Sequence, residues 1–364
     1  MGVISLGTDE TGSILSPSAY NGIFGLRASQ NFPNVDILNG IVPLFDRRDT
    51  VGPLAKYLDD LALAYSIMYN DTASYDAVTA TIDKTQLKVK SITNFWSNLN
   101  YSSIDYRIDA ELSPLFQTAL SSFKSLGINV TEQTLTSADL DALAPLLVAA
   151  KDQSYPCITQ CYKFSMNNYF GDAVRFQSDS PYHSYDTLYN SPLYSTFWTS
   201  FLGSFGVPNV TNPSQCSAAC ASYDSTKISL VNLVNSWFGD FDAIVMPTFS
   251  NIPNLIDKDP DYTITMAVLA MVNGNPFLSI PAGFTQSSAE NPDGLPFAVG
   301  LMGRKDRMDK MFKIAKLFEA KNSFVKLPYS TPLLKSSVCS GSDKLGFNVL
   351  GLCMVLIVLV LTKN

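Results

Sequence analysis

The feature that most constrains the fold and function of this chain lies near its start, where a short apolar segment runs into a tight polar turn. The segment from Val3 to Leu6 predicts a strand, and the stretch from Gly7 to Pro17 reads GTDETGSILSP, with Ser13 inside the turn. A turn of this composition presents several backbone N–H groups beside an exposed hydroxyl. Acyl transfer requires a nucleophile and donors aimed at a developing oxyanion, so Ser13 is the first candidate for chemistry.

Several blocks of the sequence, in a fixed order, carry a resemblance to a known family. The stretch Gly7–Pro17 is similar to the pattern G-T-D-x-G-G-S-I-R-x-P, and Gly22–Ser29 is similar to GxxGLKPT. Residues 49–62 resemble DTxGPMARxxxDLA. Three later blocks follow in the same order: Asp242–Thr248, Asn275–Gly283 and Gly294–Gly303. Together, over residues 1 to about 325, they resemble the amidase signature family.

The resemblance implies both a fold and a mechanism. The implied fold is α/β: an α/β/α arrangement with a mixed central sheet, here with its N-terminal part missing. The implied chemistry is amide hydrolysis with a Ser–Ser–Lys set, in which Ser13 is the nucleophile. The family's relay serine and lysine base precede the nucleophile, and residues 1–12 contain neither motif. The backbone N–H groups that would bind the oxyanion are those of Glu10, Thr11, Gly12 and Ser13.

The turn departs from the family pattern at three positions. Thr11 replaces a glycine, and a β-branched residue resists the positive φ that glycine tolerates. Leu15 replaces an arginine that we expect to pair with a carboxylate such as Asp9, the structural residue near the site. Glu10 adds a negative charge where an oxyanion would form. These departures motivate a second hypothesis, a catalytically silent cell-surface glycoprotein on an amidase scaffold.

Composition limits the partners. The formal charge of −7 and the pI of about 4.8 argue against nucleic acid. His183 is the sole histidine of the chain, which excludes a His-rich metal site. A catalytic triad with a histidine base would have to use this residue. The family resemblance implies a small-molecule amide substrate, and the sequence gives no grounds for a metal or an organic cofactor. The sequence leaves the oligomeric state open.

The C-terminal end suggests a membrane anchor. Residues 331–344 form a polar linker after an amidase-like domain over residues 1–330, and residues 345–364 are largely apolar. A GPI signal needs small residues, a spacer and an apolar tail, which favours attachment at Ser340, with Cys339 and Gly341 as alternatives. A tail-anchored transmembrane helix is the alternative. Both predict a membrane partner, and the first predicts a GPI-anchored location at the plasma membrane or cell wall.

Four cysteines lie in a Cys- and Tyr-rich insertion over about residues 150–235. Cys157 and Cys161 are four residues apart, as are Cys216 and Cys220, so each pair would share a helix face. Two antiparallel helices could form two disulfides, although three connectivities are open. A Cys₄ zinc site is the rival, but its usual spacing is C-x₂-C. Reduced structural cysteines are the remaining alternative.

Four N-glycosylation sequons agree with a secretory route: Asn70, Asn100, Asn129 and Asn209. Secretion requires a signal peptide, which residues 1–12 lack. The missing signal and the missing lysine and relay serine share one explanation, that the sequence is the C-terminal portion of a longer protein. On this hypothesis the chain as written is inactive.

Periodicity predicts several regular elements. Residues 113–126 read as an amphipathic helix, and residues 128–130 as a short strand. Apolar runs predict buried strands at residues 244–246, 277–280 and 297–302. Asp306 is the expected cap of a final helix that turns five apolar residues inward: Met308, Met311, Phe312, Ala315 and Phe318.

Overall fold

The computed structural model describes residues 2–30, 38–97, 99–101, 104–106, 108–171, 181–191, 212–253, 268–288, 293–322 and 324. These residues belong to one compact unit, Met1–Val325. The strands in chain order are β1 Ile4–Asp9, β2 Phe24–Arg27, β3 Thr50–Ala55, β4 Lys88–Ile92, β5 Leu99–Tyr101, β6 Ile104–Tyr106, β7 Asn129–Gln133, β8 Ala243–Pro247, β9 Phe277–Phe284 and β10 Pro296–Gly303.

Helices connect most of these strands. In chain order they are α1 Leu15–Tyr20, α2 Leu58–Tyr69, α3 Thr72–Thr79, α4 Leu112–Lys124, α5 Ser137–Phe170, α6 Tyr185–Tyr189, α7 Pro213–Phe238, α8 Val268–Asn273 and α9 Met308–Lys321. Short 3₁₀ turns lie at Lys84–Gln86 and Thr93–Phe95.

Eight strands form one mixed sheet in the order β1-β3-β2-β9-β10-β8-β4-β7. The first six strands are joined by antiparallel pairings, whereas β4 runs parallel to both β8 and β7. Because each pairing from β1 to β10 reverses the direction, β1, β2 and β10 run the same way. Their carboxyl ends therefore share one edge of the sheet, and this edge carries the candidate site.

The sheet separates two hydrophobic cores. In β8, Ala243 and Val245 belong to one core while Ile244 and Met246 belong to the other. Successive strand residues point to opposite faces, so the two cores lie on the two faces of the sheet. Helices α2, α3, α4 and α9 cover the first core, and α5, α7 and α8 cover the second. The predicted α/β/α fold with a mixed central sheet is confirmed.

The long helix α5 packs along α7 on the second face. A capping box fixes its start, since Thr136 and Asp139 each accept a hydrogen bond from the other's backbone N–H. Pro145 and Pro156 lie inside the helix, where proline removes a backbone hydrogen bond. Packing against α7 compensates for this loss, as tertiary contacts commonly override local propensity.

All of the predicted elements are present, and α4, β8 and β10 lie within two residues of their expected ends. Strands β7 and β9 extend to Gln133 and Phe284, beyond the expected ends at residues 130 and 280. The amphipathic helix is α4, the short strand is β7, and the buried strands are β8, β9 and β10. The predicted cap of the last helix is wrong. Arg307 occupies the N-cap of α9 without a capping side chain, and the Asp306 carboxylate instead lies 3.2 Å from Arg304 Nε.

Candidate active site

Ser13 lies on a strand–turn–helix junction at one edge of the sheet. Strand β1 ends at Asp9, the turn spans residues 10–14, and α1 begins at Leu15. Gly12 has a φ of +108°, a conformation that favours glycine, and a Cβ there would lie 3.2 Å from Met271 Cε. The Ser13 side chain is exposed to solvent. The junction thus presents the serine at the surface of a tightly packed turn.

The buried Asp9 carboxylate holds this turn in place. Its Oδ1 accepts the Gly12 N–H at 2.9 Å, and its Oδ2 accepts the N–H groups of Ile14 and Leu15 at 2.9 and 3.3 Å. Asp9 is 1% exposed. Three hydrogen bonds to a charged acceptor fix the backbone on both sides of Ser13.

Arg27, at the end of β2, balances the Asp9 charge. Its Nε lies 3.2 Å from Asp9 Oδ1, and its Nη2 donates to the carbonyl oxygens of Arg48 and Met271 at 2.6 and 3.3 Å. Both side chains of the ion pair are fully buried. Burial lowers the pKa of Arg27, and the neighbouring Asp9 charge opposes that shift. Arg27 thus gives Asp9 the arginine partner that Leu15 cannot provide.

The Glu10 charge is also compensated. Arg48 Nη1 lies 3.4 Å from Glu10 Oε1, and the Thr11 hydroxyl donates to the same carboxylate. Arg48 further donates from Nε to the Tyr223 hydroxyl at 2.7 Å and from Nη2 to the Ala150 carbonyl at 3.3 Å. It therefore ties the turn to both α7 and α5. Sequence analysis missed Arg27 and Arg48, although both lie within or beside the blocks that carry the family resemblance.

Thr11 fits the turn without strain. Among the described residues, Asn70 is the one non-glycine residue with positive φ, so Thr11 adopts an ordinary backbone conformation. The Gly12 N–H is committed to Asp9 and is not available to an oxyanion. The N–H groups of Glu10, Thr11 and Ser13 have no acceptor within the described ranges. These three donors remain for a ligand.

The turn is bordered by apolar side chains. Met271 and Phe249 lie beside Gly12, and the Phe249 ring centroid is 5.3 Å from that of Tyr20. No side chain of the described residues hydrogen-bonds the Ser13 hydroxyl. The site therefore combines an exposed hydroxyl, backbone donors and an apolar wall, and within the described ranges no basic side chain contacts the serine hydroxyl.

A buried carboxyl beside this site should make stability depend on pH. Asp49 Oδ2 accepts the N–H groups of Leu44 and Phe45, yet burial raises its pKa from 3.8 to about 6. Between these values the folded state binds more protons than the unfolded state, so stability falls as pH rises through this window. We expect Asp49→Asn to reduce the loss of unfolding free energy between these pH values, as measured by urea unfolding. The exposed Asp152→Asn should leave it unchanged, and an unaltered slope in Asp49→Asn would contradict the expectation.

The four cysteines form two buried disulfides between α5 and α7. Cys157 is bonded to Cys220, and Cys161 to Cys216. These cysteines pack in the second core with residues of the sheet, including Ile244 and Met246. The disulfides thus fasten the helix pair that Arg48 contacts, and their place is structural.

Loss of either disulfide should destabilise the protein. The bonds close loops with sequence separations of 63 and 55 residues, and a bond that closes a long loop restricts the unfolded chain. We expect Cys157→Ala with Cys220→Ala to lower the free energy of unfolding by about 2–4 kcal/mol. Urea unfolding with and without reductant measures this. Equal stability of the oxidised and reduced wild-type protein would contradict it.

Several other predicted sites lie elsewhere in the sequence. Three sequon asparagines, Asn70, Asn100 and Asn129, are exposed, and Asn209 lies outside the described residues. His183 is exposed as well. Ser340 and the apolar tail also lie outside the described residues. The described ranges contain no helix long and apolar enough to cross a membrane.

The structure is that of an α/β protein with a mixed central sheet, in which an exposed serine on a strand–turn–helix junction lies beside free backbone N–H donors. Comparison with known sequences makes the class specific. The sequence model of the Amidase family matches residues 1–310, and the chain belongs to this family.

Relatives and solved structures agree with this assignment. The A subunit of glutamyl-tRNA(Gln) amidotransferase from Enterococcus faecalis is 24% identical over 334 residues, which cover 88% of this chain and 63% of the relative. Peptide amidase from Stenotrophomonas maltophilia superposes with a TM-score of 0.60 at 18% identity, covering 90% of this chain and 64% of that one. An amidase family protein from Bacillus anthracis superposes with a TM-score of 0.56 at 18% identity, covering 89% and 58%. The chain spans about 63% of the length of the curated relatives it matches.

The predicted location at the cell surface is wrong. The proteins that the chain resembles here are amidases and an amidotransferase subunit, which gives no support to a GPI-anchored surface location. The predicted membrane contact through a GPI signal or a tail-anchored helix finds no support in these comparisons.

Proposed function

We propose that the protein hydrolyses carboxylic amides other than peptide bonds through an acyl-enzyme on Ser13. Ser13 Oγ attacks the amide carbonyl carbon, and the N–H groups of Glu10, Thr11 and Ser13 donate to the oxyanion. The C–N bond then breaks as the leaving nitrogen takes a proton. Water attacks the ester, releases the carboxylic acid and returns the proton to Ser13 Oγ.

The observation that carries the proposal is the fixed geometry of the turn. Asp9 and Arg27 lock the backbone on both sides of Ser13 while the serine and three N–H donors stay free. Preorganised donors are worth more than mobile ones, because they need no reorganisation when charge develops. Apolar contacts from Phe249 and Met271 beside Gly12 support a small-molecule amide whose acyl group has apolar surface.

The proposal also requires a general base that removes the proton from the Ser13 hydroxyl. The family resemblance assigns it to a lysine acting through a relay serine, and no described side chain hydrogen-bonds the Ser13 hydroxyl. Loss of a catalytic base costs about 10⁴-fold or more, so the proposed turnover depends on that lysine and relay serine.

The same observation favours a second candidate, a catalytically silent protein on the amidase scaffold. The burial of Leu15 and the exposure of Thr11 decide which substitution can distinguish a hydrolase from a silent protein. Leu15 is fully buried in the second core, so an arginine there would bury a charge and destabilise the fold. Thr11 is exposed and replaceable. Activity that appears only in Thr11→Gly would identify the native protein as silent.

The experiment that tests the proposal is covalent labelling. Protein expressed from its own gene in its source cells is treated with a fluorophosphonate probe, and the adduct is mapped by mass spectrometry. An adduct on Ser13 with turnover of a small amide supports hydrolysis. No adduct supports the silent scaffold, and an adduct on another residue contradicts Ser13 as the nucleophile.

A further inference from the structure

The Arg48 guanidinium contacts two aromatic rings close to the turn that carries Ser13. Its Cζ atom is 5.4 Å from the centroid of the Phe45 ring and 5.2 Å from that of the Tyr223 ring, and the two ring centroids are 5.0 Å apart. These distances are those of cation–π contacts, which are stronger where solvent is excluded. The Arg48 side chain is 8% exposed, so the rings hold the guanidinium in one place.

Hydrogen bonds fix the same guanidinium from the backbone and from two helices. The Arg48 N–H donates to the Phe45 carbonyl oxygen at 2.7 Å, which closes a turn of the chain. Its Nε donates to the Tyr223 hydroxyl on α7, and its Nη2 donates to the Ala150 carbonyl oxygen on α5. Both disulfides join these two helices. The position of Arg48 is therefore set by the fold and not by its ion-pair partner, Glu10.

The Glu10 carboxylate lies on a residue that also supplies a backbone donor beside Ser13. Arg48 Nη1 is 3.4 Å from Glu10 Oε1, and the Thr11 hydroxyl donates to Glu10 Oε2. The Glu10 side chain is 15% exposed, so water and salt screen its charge only in part. Glu10 and Thr11 supply two of the three N–H donors that have no acceptor within the described part of the chain.

An unpaired carboxylate at this place would oppose amide hydrolysis. Like charges a few ångströms apart in a partly buried site repel strongly, because the effective dielectric constant is far below that of water. The amide substrate is neutral, whereas the tetrahedral intermediate carries a negative charge on its oxygen. The repulsion would therefore raise the barrier of the chemical step without weakening substrate binding. A guanidinium held beside Glu10 cancels most of this repulsion.

We propose that Arg48 is a positioning residue for amide hydrolysis, which holds and neutralises the Glu10 carboxylate so that the N–H groups of Glu10 and Thr11 can receive the oxyanion. This inference rests on the proposed function of Ser13. Arg48 acts through Glu10 and contacts no reacting atom. An arginine suits this role because its guanidinium stays charged and can contact a carboxylate, an aromatic ring and a carbonyl oxygen together.

The rate at which a fluorophosphonate labels Ser13 tests this role in the protein expressed from its own gene. Ser13 Oγ bonds to phosphorus, fluoride leaves and the general base takes the Oγ proton, while negative charge grows on the phosphoryl oxygen. We expect Arg48→Met to lower the maximal labelling rate about 10- to 100-fold. The probe concentration that gives half of this rate should change little, because the charge acts on the transition state.

A second substitution separates the effect of charge from a structural defect. Adding Glu10→Gln to Arg48→Met should restore most of the labelling rate, since it removes the carboxylate that Arg48 neutralises. A distorted site would not be rescued in this way. Arg47→Met is the matched control, because Arg47 pairs with Asp46 and Asp224 at the surface, and it should label like wild type.

Circular dichroism shows whether each variant is folded. If Arg48→Met does not fold, two variants of the partly exposed Glu10 decide. Glu10→Asp keeps the charge but shortens its reach to Arg48, so it should label more slowly than Glu10→Gln. Equal rates in wild type and Arg48→Met, no recovery in the double variant, or equal rates in the two Glu10 variants would overturn the role of Arg48 alone. No labelling of Ser13 in the wild-type protein would overturn the proposed function as well.

Discussion

Replacing Ser13 with alanine is expected to abolish labelling by a fluorophosphonate probe and to lower amide turnover by about 10⁴-fold or more. The reason is chemical rather than structural. Ser13 is exposed, and no described side chain hydrogen-bonds its hydroxyl, so its loss leaves the packing of the turn intact. Mass spectrometry of the labelled protein and a discontinuous assay of the released amine measure the two effects.

Ser16→Ala is the matched control for this prediction. Ser16 lies in the first turn of the helix that follows, and its backbone N–H donates to the Gly12 carbonyl oxygen at 2.7 Å. Alanine keeps that N–H, so labelling and turnover should stay near wild type. Labelling that persists in Ser13→Ala would place the nucleophile elsewhere. Equal losses in Ser13→Ala and Ser16→Ala would point to a general effect on the turn.

The sequence predicts the elements of this fold well because each is encoded locally. Strands β8, β9 and β10 are largely apolar, as expected for strands that are buried on both faces of a sheet. The amphipathic helix α4 shows its apolar face at 3- and 4-residue spacing. The family resemblance adds the layer order, which no local pattern contains. The predicted cap of α9 is wrong because the Asp306 carboxylate pairs with Arg304, a few residues before the helix, instead of with the backbone of the helix.

The site is less predictable because its decisive contacts are distant in the sequence. Ser13 and Asp9 lie in one motif, and the sequence identifies both. Arg27 is 18 residues from Asp9, and Tyr223 is 175 residues from Arg48. These pairings depend on the order of the strands and on the placement of α7. The sequence therefore shows which groups depart from the family pattern, but not which groups compensate for them.

Replacing Arg27 with methionine should destabilise the protein by about 3–5 kcal/mol, the usual cost of leaving a buried charge without its partner. Asp9 and Arg27 are both fully buried, so solvent cannot screen the Asp9 carboxylate once the guanidinium is gone. The change also removes the donors to the carbonyl oxygens of Arg48 and Met271. Urea unfolding followed by fluorescence gives the free energy directly.

Arg47→Met is the matched control, because Arg47 pairs with Asp46 and Asp224 at the surface. Exposed pairs contribute about 0–1 kcal/mol, so this variant should unfold near the wild-type midpoint. Adding Asp9→Asn to Arg27→Met should recover part of the loss, since asparagine keeps an acceptor for the turn without the unpaired charge. Recovery in the double variant would assign the cost to charge rather than to packing. A loss below about 1 kcal/mol in Arg27→Met would show that the turn around Ser13 does not depend on this ion pair.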